Sequence, residues 1–156
     1  MKSKDDMKIR GMCRLRIVNE DGTIAGDSGW KRNQIVNGGV QDFLSALLGN
    51  TTGSKQVTHL ALGTGGAPAS DATTLGGEVE KRKGVTVTVS ESTSVVFTAT
   101  FGSSDSFVTD TQNISNIGLF NSSAAGGMFA GAALAGSSSC ATNQQVNASY
   151  TITFTR

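Results

Sequence analysis

Several segments of this chain alternate apolar and polar residues with a period of two, and this alternation constrains the fold most strongly. In residues 146–155 every second residue is apolar, namely Val146, Ala148, Tyr150, Ile152 and Phe154. Residues 8–19 repeat the pattern, with Ile9, Cys13, Leu15 and Ile17 opposed by Lys8, Arg10, Arg14 and Arg16. Successive side chains of a β-strand point to opposite faces of the sheet, so both segments are predicted to be half-buried strands.

Further short strands are predicted along the rest of the chain. Asp21-Gly22 reads as the turn of a hairpin after the first strand, because Asp-Gly readily adopts positive φ. Short strands separated by Gly, Ser and Asn turns favour an all-β fold, mainly an antiparallel sandwich or barrel of jelly-roll-like or tulip-like form. The remaining predicted strands are residues 24–30, 57–63, 78–90, 95–101, 114–120 and 128–134.

One helix is predicted, over residues 39–48. Its apolar residues recur with the spacing of a single helical face: Val40, Phe43, Leu44, Leu47 and Leu48. We expect Phe43 and Leu47 to pack on a sheet face lined by Phe97, Phe101, Ile152 and Phe154.

The chain is predicted to form one β domain over residues 1–156, with residues 1–32 as an N-terminal hairpin or arm that extends to a neighbouring subunit. A chain of 156 residues can bury a substantial core. Only 16% of the residues are charged, whereas 18 are Ser and 18 are Thr. Protein interfaces tend to exclude Lys and Glu, so this composition favours contact with other proteins and with copies of the chain, most simply as a homotrimer.

The distribution of charge argues against binding to nucleic acid. Eight of the 13 basic residues lie within residues 1–32, and residues 84–155 contain neither Lys nor Arg. Phosphate recognition requires several cations on one face, and acidic residues dilute the basic N-terminal region. No apolar run is long enough to span a bilayer, so no membrane partner is expected either.

No residue set indicates catalysis, a metal or a cofactor. The glycines of residues 63–66 are followed by Ala-Pro-Ala-Ser-Asp rather than by an amphipathic helix, as a dinucleotide site would require. His59 is the single histidine and is interpreted as structural.

The two cysteines are far apart in sequence. Cys13 is expected to be a small buried hydrophobe and Cys140 to lie in a Ser-rich turn, with a disulfide between them as the less favoured alternative.

Two sets of short phrases carry a resemblance. The first is Gly-Thr-Gly-Gly-Ala-Pro-Ala-Ser-Asp at residues 63–71, followed by Leu75, Glu78 and Arg82. The second is Ile-Ser-Asn-Ile-Gly-Leu-Phe-Asn at residues 114–121, followed by Gly-Gly-Met-Phe-Ala at residues 126–130. Over residues 33–156 the chain resembles small structural proteins of tailed bacteriophages. In that family pattern Glu78 and Arg82 match an acid and a base, which we interpret as a structural ion pair.

The resemblance implies a non-enzymatic virion protein that is assembled in the host cytoplasm. The preferred role is a capsid decoration, or cement, protein that bridges neighbouring major capsid subunits. The alternative is a tail, baseplate or fibre-associated subunit, and a third hypothesis is a host-glycan-binding module with Trp30 and Tyr150 as its platform. The expected partner-contact residues are Lys8, Arg10, Arg14, Arg16, Thr64, Gly65, Gly66, Pro68, Asp71, Gly126 and Gly127.

Overall fold

The computed structural model of the protein describes residues 7–48 and 55–155. Within these residues, eleven strands form two antiparallel sheets. The strands are β1 (Lys8–Val18), β2 (Ile24–Asp27), β3 (Lys31–Arg32), β4 (Gln34–Ile35), β5 (His59–Gly63), β6 (Lys83–Gly84), β7 (Thr86–Ser90), β8 (Ser94–Phe101), β9 (Gln112–Phe120), β10 (Met128–Cys140) and β11 (Gln145–Thr155).

The first sheet has the strand order β2-β1-β11-β8-β7, and β3 also pairs with β1. β1 pairs with β11 along its whole length, from Lys8 opposite Thr155 to Val18 opposite Gln145. This register places the apolar residues of the two alternating segments on the same face. The predicted hairpin after β1 is confirmed, with Gly22 at φ +85° in its turn.

The second sheet has the strand order β4-β10-β9-β5-β6. The chain crosses between the two sheets at both sides of the sandwich. At one side Asn33 separates β3 of the first sheet from β4 of the second, and at the other side Val85 separates β6 from β7. The sheets are therefore joined by continuous chain at two corners.

The main core lies between the two sheets. It includes Leu15 and Ile17 from β1, Tyr150 from β11, and Leu60 and Ile117 from the second sheet, all fully buried. Burial of such side chains contributes about 1.5–3 kcal/mol each relative to exposure. The predicted all-β sandwich is confirmed.

A smaller apolar cluster lies on the outer face of the second sheet. It joins Ala61, Phe120 and Met128 to Leu75 and Val36. Ala61 alternates with Leu60 and Leu62 of the main core, so it points to the opposite side of the sheet. The loop that contains Leu75, residues 64–77, therefore covers this outer face.

The predicted helix is present in a different form. Gly39–Leu44 is a π-helical segment, and Ser45–Leu47 adds one short α-helical turn. Phe43 is buried and packs against Phe129, with ring centroids 5.4 Å apart. The expectation that Leu47 packs on the sheet was wrong, because the side chain is 80% exposed. Val40 and Leu48 of the predicted stripe are exposed as well.

Two expectations about β-structure also require correction. Residues 78–82 are not a strand: Glu78 makes one isolated bridge with Gly63, and regular pairing resumes only at β6. Cys140 does not lie in a turn but ends β10, where it is fully buried. Cys13 and Cys140 are both free thiols, so the alternative of a disulfide between them is wrong.

Candidate partner-binding surfaces

The loop of residues 64–77 is held on the second sheet by a buried asparagine. Asn116 lies in β9, is fully buried, and donates through Nδ2 to the carbonyl oxygens of Gly66 and Gly76 at 3.1 and 2.9 Å. Its neighbour Ser115 donates to the carbonyl oxygen of Gly65 at 2.8 Å. These three side-chain hydrogen bonds attach backbone carbonyl groups of the loop to β9, and the Gly76 carbonyl oxygen also accepts from the backbone N–H of Gly65 at 3.0 Å.

Arg82 connects this loop to a second one, the turn of residues 121–127. Its guanidinium binds the Glu78 carboxylate through two nitrogens and also donates to the carbonyl oxygens of Ser122 and Ala125. The Arg82 side chain is only 6% exposed, so water competes little for these bonds. The predicted Glu78–Arg82 ion pair is present, and it organises the turn in addition to pairing two charges.

We call residues 64–77 and 121–127 together the loop platform. The two phrases of the resemblance are far apart in sequence, yet Asn116 and the Glu78–Arg82 pair bring them onto the same face of the second sheet. The platform contains a single ionisable side chain, Asp71. A contact made there would depend on shape and on hydrogen bonds from backbone and small side chains.

Most of the expected contact residues of the platform are accessible. Thr64, Gly66, Asp71 and Gly126 are exposed, whereas Gly65 and Gly127 are half-buried. The exception is Pro68, which is buried. Its Cγ occupies the space above Gly131, 2.7 Å from where a Cβ at that position would lie. Pro68 therefore anchors the loop on the sheet and is removed from the set of partner contacts.

The four basic residues predicted to contact a partner lie on β1 and form what we call the basic edge. Lys8 and Arg10 are exposed. Arg14 and Arg16 are half-buried, and both bind the Asp27 carboxylate of β2, through Nε atoms at 2.9 and 3.2 Å. These hydrogen bonds, chiefly the one from Arg14, hold the pKa of Asp27 well below its usual range. Lys8 and Arg10 are thus the basic residues best placed to attract an acidic partner.

The basic edge and the loop platform do not meet. Cys13, Leu15 and Ile17 of β1 face the main core, so Arg14 and Arg16 point away from it, outside the first sheet. The loop platform covers the outer face of the second sheet. A single partner surface would contact one or the other, whereas two partners could be bound on opposite sides.

The residues considered for catalysis or metal binding are placed apart. His59 is half-buried, and its Nδ1 lies 2.8 Å from the hydroxyl of Thr58. Burial raises the pKa of the Cys13 thiol to about 12 and that of Cys140 to about 11, which keeps both protonated and unreactive at neutral pH. Across residues 7–48 and 55–155 no three His, Cys, Asp or Glu side chains are grouped in a way that could hold a metal ion.

The aromatic platform proposed for glycan binding is not formed. Trp30 is 47% exposed, beside Arg14 on the outer face of the first sheet. Tyr150 is fully buried in the main core, so its ring is not available for stacking on a sugar. The expectation that these two residues form one site was wrong.

No family model, no curated protein and no solved structure matches this chain. None of the helices in the described part of the chain is long and apolar enough to cross a membrane.

Sequence reasoning identified the Glu78–Arg82 pair, but it missed Asn116 and the turn carbonyl oxygens that Arg82 binds, and these are what join the platform into one unit. Asn116 lies in a strand that also contains the polar residues Gln112, Asn113 and Ser115, so its residue type alone does not mark it as buried. The carbonyl oxygens that Arg82 binds carry no sequence signal, because every residue has one.

Proposed function

We propose that this protein is a non-enzymatic structural protein of a tailed-phage virion, and that it acts as a capsid decoration protein. Its partner would be the major capsid protein, with each copy bridging neighbouring subunits of the head. Several weak contacts made at once give an avidity that no single contact supplies. The proposal rests on the phrases of the resemblance, and one structural observation supports it.

That observation is the attachment of the loop platform to the sheet by hydrogen bonds from buried side chains. Binding surfaces are commonly built from loops that a scaffold holds in place, because a preorganised loop loses less entropy on binding. Asn116 and Arg82 fix the platform through buried side chains. The exposed parts of the platform are Gly, Ala, Ser and Thr with one Asp, a surface that allows close backbone approach to a partner.

The location in the virion is the first test. Purified virions are separated into heads and tails, and the protein is quantified in each fraction by mass spectrometry. A decoration protein is expected in the head fraction at a fixed ratio to the major capsid protein. Recovery in the tail fraction alone would replace this role by that of a tail or baseplate subunit, and absence from both fractions would contradict a virion role.

The contact surface is tested with charged substitutions and heads that lack this protein. Ala69→Lys with Ser123→Lys places two cations on the exposed part of the loop platform. We expect this variant to lose head binding. The matched control is Thr98→Lys with Thr100→Lys, which places two cations on the exposed outer face of the first sheet. Equal binding by the two variants would exclude the platform as the docking surface.

The basic edge is tested separately. Lys8→Glu with Arg10→Glu reverses the two exposed charges without disturbing Asp27. If an acidic partner surface contacts this edge, the variant binds heads more weakly, and the loss shrinks as salt rises. Unchanged binding at low salt would assign docking to the platform alone.

A further inference from the structure

The edge strands of the two sheets differ in how they are protected from pairing with other chains. Unpaired sheet edges are usually blunted by charges, by Pro, by bulges or by short length. β3, β4 and β6 have two residues each. β2 has four residues, carries Asp27, and its pairing with β1 shifts register at Val18.

β7 has none of these protections. It is five residues long, Thr-Val-Thr-Val-Ser, with no charge, no proline and no register shift in its pairing with β8. It is the last strand of the first sheet, and its five residues are all exposed. Among the described residues, no other strand pairs with its free side.

The two valines of β7 add an apolar component to this free edge. Val87 is 52% exposed and Val89 is 72% exposed. Val87 also lines a groove of about 760 Å³ beside the helical segment, together with Phe43, Leu47 and Phe97. Leu47, at the rim of the groove, is 80% exposed. An exposed apolar surface next to an open strand edge is typical of a site that another strand covers.

We infer that β7 is the interface between two copies of this chain, which pair antiparallel through their β7 strands about Thr88. In that register Val87 lies opposite Val89 of the partner subunit, and Thr86 lies opposite Ser90 of the partner subunit. The strand is thus complementary to itself on both faces, and its lack of charge means that pairing places no like charges together. A two-fold axis through Thr88 closes the assembly as a dimer, with the two first sheets forming one continuous sheet.

This inference does not depend on a role in the capsid. The dimer differs from the trimer expected from composition. Once the β7 edges of two copies pair with each other, neither has a free edge left to bind a third copy. Because the free edge of β7 is uncharged, a second copy of β7 fits it better than a charged peptide does. The N-terminal part of the chain, with its concentration of Lys and Arg, would bring cations to a strand that carries no acid, since Glu91 lies in the turn that follows it.

The test uses sedimentation equilibrium of the full chain, whose mass is 16.0 kDa. The wild-type protein is expected to have twice that mass at micromolar concentration. Val87→Lys with Val89→Lys removes both apolar contacts and places Lys opposite Lys, so we expect the dimer dissociation constant to rise at least about tenfold. Val87→Glu with Val89→Glu should do the same. An equimolar mixture of the two variants should restore the dimer, because each Lys then meets a Glu.

The control is Thr98→Lys with Thr100→Lys, which adds the same charge to exposed positions of β8, a strand already paired on both sides. It should remain dimeric. Circular dichroism and thermal unfolding establish that each variant is folded. Thr88→Lys replaces the double variant if that one does not fold, since position 88 of each copy faces the same position of the other across the two-fold axis. A wild-type monomer or trimer, an unaffected Lys variant, or no recovery on mixing would each overturn the proposal.

Discussion

The guanidinium of Arg82 lies over the ring of Phe120, 3.6 Å from its centroid, while the same group binds the Glu78 carboxylate. The ring belongs to the outer face of the second sheet, and the carboxylate follows the loop of residues 64–77. One side chain therefore joins a strand, a loop and, through two carbonyl oxygens, the turn of residues 121–127. Cation–π contact with a desolvated Arg adds to these hydrogen bonds.

Replacement of Arg82 by Ala should destabilise the protein by about 2–3 kcal/mol, because it leaves the Glu78 carboxylate and two backbone carbonyl groups without their partner. Chemical denaturation followed by circular dichroism measures this change. Lys81→Ala, at the exposed neighbouring position, is the control and should change stability by less than about 0.5 kcal/mol. Equal effects from the two substitutions would mean that the platform does not depend on Arg82.

Substitution of Phe43 and of Leu47 by Ala should change the unfolding free energy by very different amounts, although the two residues lie one helical turn apart. Phe43 is 7% exposed and contacts Phe129, so Phe43→Ala should cost about 3 kcal/mol of unfolding free energy. Leu47 is 80% exposed, and Leu47→Ala should cost less than about 0.5 kcal/mol. Urea unfolding of both variants gives the comparison. A large loss for Leu47→Ala in dilute solution would show that Leu47 is buried by a contact that residues 7–48 and 55–155 of a single chain do not make.

Asp27 should give the protein a specific sensitivity to acid. Its pKa is lowered in the folded state by Arg14, by the backbone N–H of Gly29 and by Arg16, so its contribution to stability is present above the unfolded pKa of about 3.9. That contribution is lost as the pH falls below this value towards the folded pKa. The difference in unfolding free energy between the wild type and Asp27→Asn should thus be constant near neutral pH and should shrink below about pH 4.

The control for this pH dependence is Asp71→Asn, which removes an exposed carboxylate of the loop platform. Its difference from the wild type should be small across the same range. A difference for Asp27→Asn that does not vary with pH would mean that its ion pairs with Arg14 and Arg16 do not contribute to stability in solution.

The strands could be predicted from the sequence because their signal is local. Alternation with a period of two is visible in a single segment, and burial of one face excludes a shift of β1 against β11 by an odd number of residues. Whether a strand face is covered depends on the rest of the fold. Val87 and Val89 alternate as regularly as the valines of a buried strand, yet the second sheet does not extend over them and they remain exposed.

The helix shows the same limit of sequence-based prediction: an apolar face in the sequence is not always a buried face in the fold. The spacing of Val40, Phe43 and Leu47 indicates one apolar face, but the element is short and ends beside an open groove. Only Phe43 of these three reaches the core. The platform could be predicted in part: its exposed loops and the Glu78–Arg82 pair are apparent in the sequence, whereas their union through Asn116 and the turn carbonyls depends on the folded chain.

Two adjacent glycines of the loop platform should respond differently to the same substitution. A Cβ at Gly65 would lie 2.6 Å from the carbonyl oxygen of Gly76 and 3.0 Å from the Nδ2 of Asn116, so Gly65→Ala must displace the loop or break its hydrogen bonds. A Cβ at Gly66 would meet no atom within 4 Å. We expect Gly65→Ala to cost about 1–3 kcal/mol and Gly66→Ala to change stability by less than about 0.5 kcal/mol.

Thermal unfolding of the two variants measures this contrast, and amide exchange locates it. In Gly65→Ala the amides of Thr64 and Gly65, which donate to the carbonyl oxygens of Gly77 and Gly76, should exchange faster than in the wild type. Exchange in β1 and β11 should be unchanged, since those strands lie in the other sheet. If Gly65→Ala is as stable as Gly66→Ala and exchanges at the wild-type rate, the loop is not held against Gly76 as described.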